Sequence, residues 1–227
     1  MDDVVQIVGL YRQDLSGFDE ESLKAHGEIW TINDWYRPYP WLKNPDRVYN
    51  IHPQESMNDV PQYRFVNWKQ EYKEAISRGV RIITPFKYDD NLNTELIPLE
   101  KLEETFPVYM LQCSISIMMG IAILEMRDKI ILRGVHLRDD EYKYQIDGIL
   151  RMAEYARARG IEVEMEHEEV WLKNRIVAVD WSKIIGLVPY WMRHYNVNDP
   201  IQIIVDKVKT ILKIVNGVVV NGTEEKQ

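Results

Sequence analysis

The segment from Gln112 to His136 constrains the fold of this chain more than any other. Cys113 to Leu124 is apolar on nearly every face, and a helix of that kind has to be buried. After the short polar stretch Glu125 to Lys129, the run Ile130-Ile-Leu-Arg-Gly-Val-His136 reads as a buried strand ending at a glycine and a histidine. In open α/β sheets, ligands bind just outside the carboxyl ends of the strands. Gly134 and His136 therefore stand where binding or chemistry is expected.

The rest of the chain repeats this alternation. Val4 to Gly9 is a short hydrophobic strand ending in glycine, followed by a polar turn and a helix beginning near Asp19. Glu28 to Asn33 and Arg47 to His52 are short, rich in β-branched and aromatic residues, and end in polar side chains. Between them, residues 35–45 hold three prolines and read as a loop, because proline removes amide donors and restricts its predecessor. Trp68 to Arg78 is a helix stopped by Gly79, and Val80 to Thr84 a strand stopped by Pro85. Tyr88 to Pro98 reads as a polar loop. Asp140 to Arg159 is a helix ended by Gly160, and Ile161 to Met165 a last strand with one solvated face. Six strands with intervening helices predict a doubly wound, mainly parallel α/β sheet. Met118, Met119 and Met126 are expected to fill its core.

Residues 1–171 are expected to form this domain, 172–222 a C-terminal helical arm and 223–227 a disordered tail. Asp199-Pro200 is a capping residue followed by proline at the first helical position. Ile201, Ile204, Val205, Val208, Ile211, Leu212 and Val215 then trace one apolar stripe. The arm is expected to fold onto its own domain, with self-association into a homo-oligomer as the alternative.

At 227 residues and 45% hydrophobic content, the chain can bury a full core. Its net charge of −8, with Lys and Arg scattered among acids, offers no basic surface for a long nucleic acid. The single Cys113 excludes an internal disulfide, and the Met-Asp-Asp-Val-Val start lacks the features of a secretion signal, so a cytoplasmic location is expected. The run Ile115 to Leu124 is too short to span a bilayer, and no membrane association is expected. Phosphate-loop, dinucleotide, zinc-protease and serine-hydrolase signatures are missing, and no cofactor is expected. The acidic run Glu164 to Glu169 surrounds His167, yet it lacks the spacing of a ligand set and reads as a solvated edge; no metal site is expected.

The order Val4 to Gly9, Glu28 to Tyr36, Arg47 to His52, then Cys113-Ser to Ile130-Ile-Leu-Arg-Gly-Val-His-Leu137 resembles bacterial nucleotide-sugar-dependent sialyltransferases at the level of fold. It resembles more closely a group of short bacteriophage and prophage Rossmann-like proteins, whose pattern His52, Gly134, Tyr142, Gln145 and Ala158 to Val163 match. The sialyltransferase resemblance implies that Gly9 belongs to a first nucleotide-binding turn, Asn33 and Tyr36 to a second, with Ser114 and Gly134 near the phosphates of a cytidine-type donor. This chain departs from that pattern in four places. The first turn lacks Gly-Pro-Ser, Ile115 replaces a small residue, His136 replaces an acid, and no residue matches the histidine of the sialyltransferase lid.

From the residues themselves, His52 and His136, taken as neighbouring strand ends, are candidates to move a proton or hold a phosphate; capping a strand is the alternative for each. Ser114 and Ser116 begin a helix whose free amides favour an anion, with ordinary N-capping as the alternative. Cys113 reads as inert packing. Trp35, Tyr36, Tyr39 and Trp41 either stack on a base or sugar or pack their loop onto the domain. Two functions stay open: a glycosyltransferase-like enzyme binding a nucleotide or nucleotide-sugar, with His52 or His136 as general base and Gly9, Asn33, Tyr36, Ser114, Ser116, Gly134, Tyr142 and Gln145 around the substrate; or a non-catalytic nucleotide-binding or protein-interaction protein of the same fold.

Overall fold

A computed structural model describes residues 3–52, 67–88, 92–111, 113–136 and 145–174. Its strands are β1 (Val4–Val8), β2 (Glu28–Ile32), β3 (Arg47–Tyr49), β4 (Arg81–Thr84), β5 (Glu95–Leu96), β6 (Lys129–Arg133) and β7 (Glu162–Met165). The helices are α1 (Glu20–Lys24), α2 (Trp68–Ser77), α3 (Leu99–Thr105), α4 (Ser114–Leu124), α5 (Gln145–Ala158) and α6 (Glu168–Asn174), with 3-10 turns at Arg12–Leu15 and Val108–Met110. Residues 175–222 of the expected C-terminal arm, the tail and Tyr142 lie outside the described residues, while residues 172–174 belong to α6.

All seven strands join one parallel sheet in the order β5-β4-β3-β2-β1-β6-β7. This is a doubly wound, Rossmann-like α/β fold. The extra strand is β5, inside the stretch read from sequence as loop. Its two residues, Glu95 and Leu96, are both exposed, so no alternation marks it, and only pairing with Ile83 and Thr84 makes it a strand.

The order contains one reversal. From β1 the chain winds outward to β5, then crosses back over the sheet and enters β6 on the other side of β1. Crossover helices run antiparallel to the strands they connect, which brings the start of α4 to the carboxyl edge of the sheet. Helices pack on both faces because the strands are buried on both. One face buries Val5, Ile7, Ile130 and Leu132 with α4 and α5. The other buries Val8, Ile29, Val48 and Ile82 with Leu23 of α1, Tyr72 of α2 and the Trp35–Leu42 loop. Residues 114–123 of α4 are buried without exception, as its apolar sequence requires. Met118 and Met119 lie in the core, but Met126 does not. It occupies a left-handed position (φ 57°) in the turn after α4 and is 81% exposed, because the helix ends before the apolar pattern does.

The amino edge of the sheet is held by charge. Arg47 at the start of β3 forks onto Glu125 at the end of α4 (2.6 and 3.0 Å) and reaches Glu28 of β2 (2.8 Å). Arg127 bridges Glu28, Glu125 and Asp3. Both guanidinium groups lie over the buried Trp30 ring, at 4.3 and 5.4 Å from its centroid.

Candidate functional site

The winding reverses between β1 and β6, and the carboxyl ends of the strands at such a reversal are the usual ligand position in this fold class. Two glycines meet there. A side chain on Gly9 would put its Cβ 2.4 Å from the carbonyl oxygen of Gly134, and Gly134 itself has a left-handed backbone (φ 59°). The two turns are stitched together where they touch: Gly9 N donates to Arg133 O (2.8 Å) and Tyr11 N donates to Gly134 O (2.9 Å). Only residues without a Cβ allow this approach.

Around these glycines stand residues from four connections. His136, just past β6, stacks face to face on Tyr11 (4.1 Å between centroids, 19° between planes). Edge-on to it is His167, from the turn after β7 (5.1 Å, 88°). Nε2 of His167 lies 2.7 Å from Asp14 Oδ2, in the 3-10 turn after β1. Glu166 accepts from the Gly134 amide and faces Arg133, both at 3.3 Å. Burial raises the Glu166 carboxyl and the charge of Asp14 adds to this, while the Gly134 amide and Arg133 oppose.

Tyr39 completes the rim. Its ring is fully buried, and its hydroxyl would lie 2.8 Å from a Cβ on Gly134. That hydroxyl has no hydrogen-bond partner among the described residues. Burial first, then the charges of Asp14 and Glu166, push the phenol above its ordinary value, so it stays a hydrogen-bond donor at neutral pH. Tyr36 is similar: its hydroxyl is buried and unpartnered among the described residues, and burial, with Asp34 and Glu71, raises it.

Asn33 follows β2 with an uncommon positive φ of 46°. Its backbone is fixed by bonds to Tyr49 O (3.0 Å) and from the Tyr72 hydroxyl (3.0 Å), while its Oδ1 is buried without a partner among the described residues. Buried polar atoms left open in this way are uncommon in native proteins. Three of them, on Asn33, Tyr36 and Tyr39, lie on the single connection between β2 and β3.

Other expected site residues are arranged differently. His52 and His136 are not at neighbouring strand ends. β2 and β1 lie between β3 and β6, so at about 4.8 Å per strand spacing the two ends are roughly 14 Å apart. One small reacting group cannot be served by both. The sequence order of strand ends concealed this because the winding reverses only after β5. His52 donates its amide to Asn50 (3.0 Å), and its carbonyl accepts from the Tyr88 hydroxyl.

At the start of α4, Cys113 is the N-cap and Ser114 the first helical residue. Ser116 is 0% exposed, and its hydroxyl accepts from Cys113 N (3.1 Å) and donates to Cys113 O (3.0 Å). Its hydrogen bonds are thus spent on the helix end, and Ser114 is also buried. Burial pushes the Cys113 thiol up, as inert packing requires. Gln145 begins α5. Of the four aromatic residues, Trp35 and Tyr39 are core, Trp35 donating to Leu42 O (3.0 Å). Tyr36 and Trp41 are partly buried against the same cluster. Asp14 escaped the sequence reading, and Glu166 and His167 read there only as a solvated edge: Asp14 is a lone acid in a polar turn, and it meets the other two across some 150 positions of chain only because β1, β6 and β7 are neighbours.

No protein-family model matches the chain, and no curated protein sequence does. Among solved structures, the sialyltransferase CstII from Campylobacter jejuni, in complex with the substrate analogue CMP-3FNeuAc, aligns at a TM-score of 0.47 and 14% identity, covering 72% of this chain and 79% of that one. The same enzyme in complex with cytidine-5'-monophosphate aligns at 0.45 and 13%, covering 83% and 86%. Among the described residues, no helix is long and apolar enough to cross a membrane.

Proposed function

We propose that the crevice between β1 and β6 binds a nucleotide or nucleotide-sugar and that the protein is glycosyltransferase-like. The observation that carries this reading is the winding reversal, where the glycine turns after β1 and β6 meet at the carboxyl edge beside the stacked Tyr11 and His136. The Asn33 oxygen and the Tyr36 hydroxyl are suited to base and sugar edges, which are dense in donors and acceptors. Ser114 and the free amides at the start of α4 suit a phosphate. A ligand supplying the missing hydrogen bonds recovers the desolvation cost of burying these groups, about 1–3 kcal/mol each.

In the enzymatic reading, His136 is the group that exchanges a proton with the acceptor hydroxyl, His52 being set aside by its distance in the sheet. A thermal-shift panel of cytidine and uridine mono- and diphosphates and their sugar conjugates tests this. At least one should raise the unfolding midpoint progressively with concentration, by mass action; if none does, the reading is wrong. With the responding ligand, His136→Ala should weaken binding about tenfold, roughly 1.4 kcal/mol, while His52→Ala leaves it within about twofold. The reverse order would move the site to β3.

A further inference from the structure

We infer that Asp14, Glu166 and His167 form a binding site for one divalent cation of the manganese or zinc class at the rim of the crevice. Two carboxylates and an imidazole present ligand atoms that all lie within 4.8 Å of one another. Ligands bonded to one such ion at about 2.0–2.2 Å stand roughly 3–4 Å apart, so side-chain adjustments of an ångström or less close the set around an ion. The Asp14–His167 contact of 2.7 Å already brings one nitrogen and one oxygen together, and an ion would take the place of that contact.

The two acids outnumber the one guanidinium, Arg133, that faces them. Asp14 and Glu166 are like charges at one rim, and Glu166 is met there by Arg133 and the Gly134 amide only at 3.3 Å, long for charge-assisted bonds. A cation between them replaces repulsion with attraction. The second observation is independent of the acids: the Tyr39 hydroxyl, on a fully buried side chain, abuts Gly134 on the same rim with no partner among the described residues. Three protein ligands leave coordination positions open, as in catalytic rather than structural metal sites, and a water on that open side is the kind of partner the hydroxyl lacks.

The imidazole nitrogen decides the class of ion. An all-oxygen site suits magnesium or calcium, whereas a mixed nitrogen and oxygen set favours manganese, iron, cobalt or zinc. His167 itself lies beside His136 and Trp171 (6.4 Å), which fix the plane of its ring. The site stands on its own geometry and does not depend on the nucleotide reading, though an ion there would face any phosphate in the crevice.

Calorimetric titration of the full chain with manganese and with zinc, without nucleotide, tests the site. One saturable site per chain is expected, with magnesium binding at least about tenfold more weakly. Asp14→Asn, Glu166→Gln and His167→Gln should each weaken manganese at least about tenfold. Glu166→Gln keeps the volume and the contact with the Gly134 amide on a partly exposed side chain, so it decides the matter even if Asp14→Asn fails to fold. Absence of saturable binding by either ion up to millimolar concentration, or unchanged affinity in Glu166→Gln, overturns the proposal. Running the nucleotide panel in the presence of a chelator separates failure of this site from failure of the crevice.

Discussion

Gly9→Ala is expected to destabilise the fold by about 3–5 kcal/mol, at the upper end of what single substitutions do, and to abolish ligand binding in the crevice. The new Cβ would stand 2.4 Å from Gly134 O, 2.9 Å from Gly134 C and 3.1 Å from Val135 Cα, all backbone atoms that no rotamer change can remove. Relief requires the turns after β1 and β6 to part, which breaks the Gly9–Arg133 and Tyr11–Gly134 backbone bonds. Gly134→Ala makes a sharper comparison. Its nearest contact is the Tyr39 hydroxyl at 2.8 Å, the end of a side chain, although its positive φ adds strain. It should therefore cost less than Gly9→Ala, about 1–3 kcal/mol. Denaturant unfolding of the two variants measures the difference; the opposite ranking would mean that the approach of the two turns is looser than described.

Arg47→Ala should cost about 3 kcal/mol, because it strands two carboxylates and uncovers the Trp30 ring. Arg127 remains to face Glu28 and Glu125, which keeps the loss below the extreme for a buried pair. Arg47→Lys keeps the charge but loses the fork that grips Glu125, and should fall between wild type and alanine. The same network sets a pH dependence. Burial alone would raise the Glu125 carboxyl, but hydrogen bonds from Arg47 and Arg127 outweigh it and hold it below the usual range. A carboxyl depressed on folding contributes stability that is present above its unfolded value, about 4.3, and lost as pH falls through the lower folded value. Wild-type protein should thus lose stability on acidification below about pH 4.3, and Arg47→Ala should lose less over the same interval. Equal losses in both proteins would show that other carboxylates carry the acid transition.

The two edges of the sheet divide the labour. Charges that lock α4 to β2 and β3 gather at the amino edge, while the open hydroxyls and the Asn33 oxygen gather at the carboxyl edge. A protein keeps buried polar atoms without partners at a desolvation cost, and three of those here lie on the one connection from β2 to β3.

Much of this architecture was legible in one dimension. The alternation of short β-branched runs with helices, and the apolar segment Cys113 to Leu124, were enough for a parallel doubly wound sheet, because burial on both faces imposes that composition. The strand ends at Gly9, Asn33 and Gly134 were legible for the same reason: a chain leaving a buried strand needs a residue that tolerates close approach or a left-handed turn. β5 was not, since two exposed residues carry no periodic signal.

What the sequence could not order was the sheet. Strand order depends on which crossover passes over which face, and that is settled by long-range packing of α4 and α5 against β1 and β6. That choice separated His52 from His136 by two strands and carried Asp14 across the chain to His167 and Glu166. Local chemistry was sufficient for the elements and for the kind of residue at each end. Only tertiary packing, which acts between residues more than a hundred positions apart, decided which of those ends share one crevice.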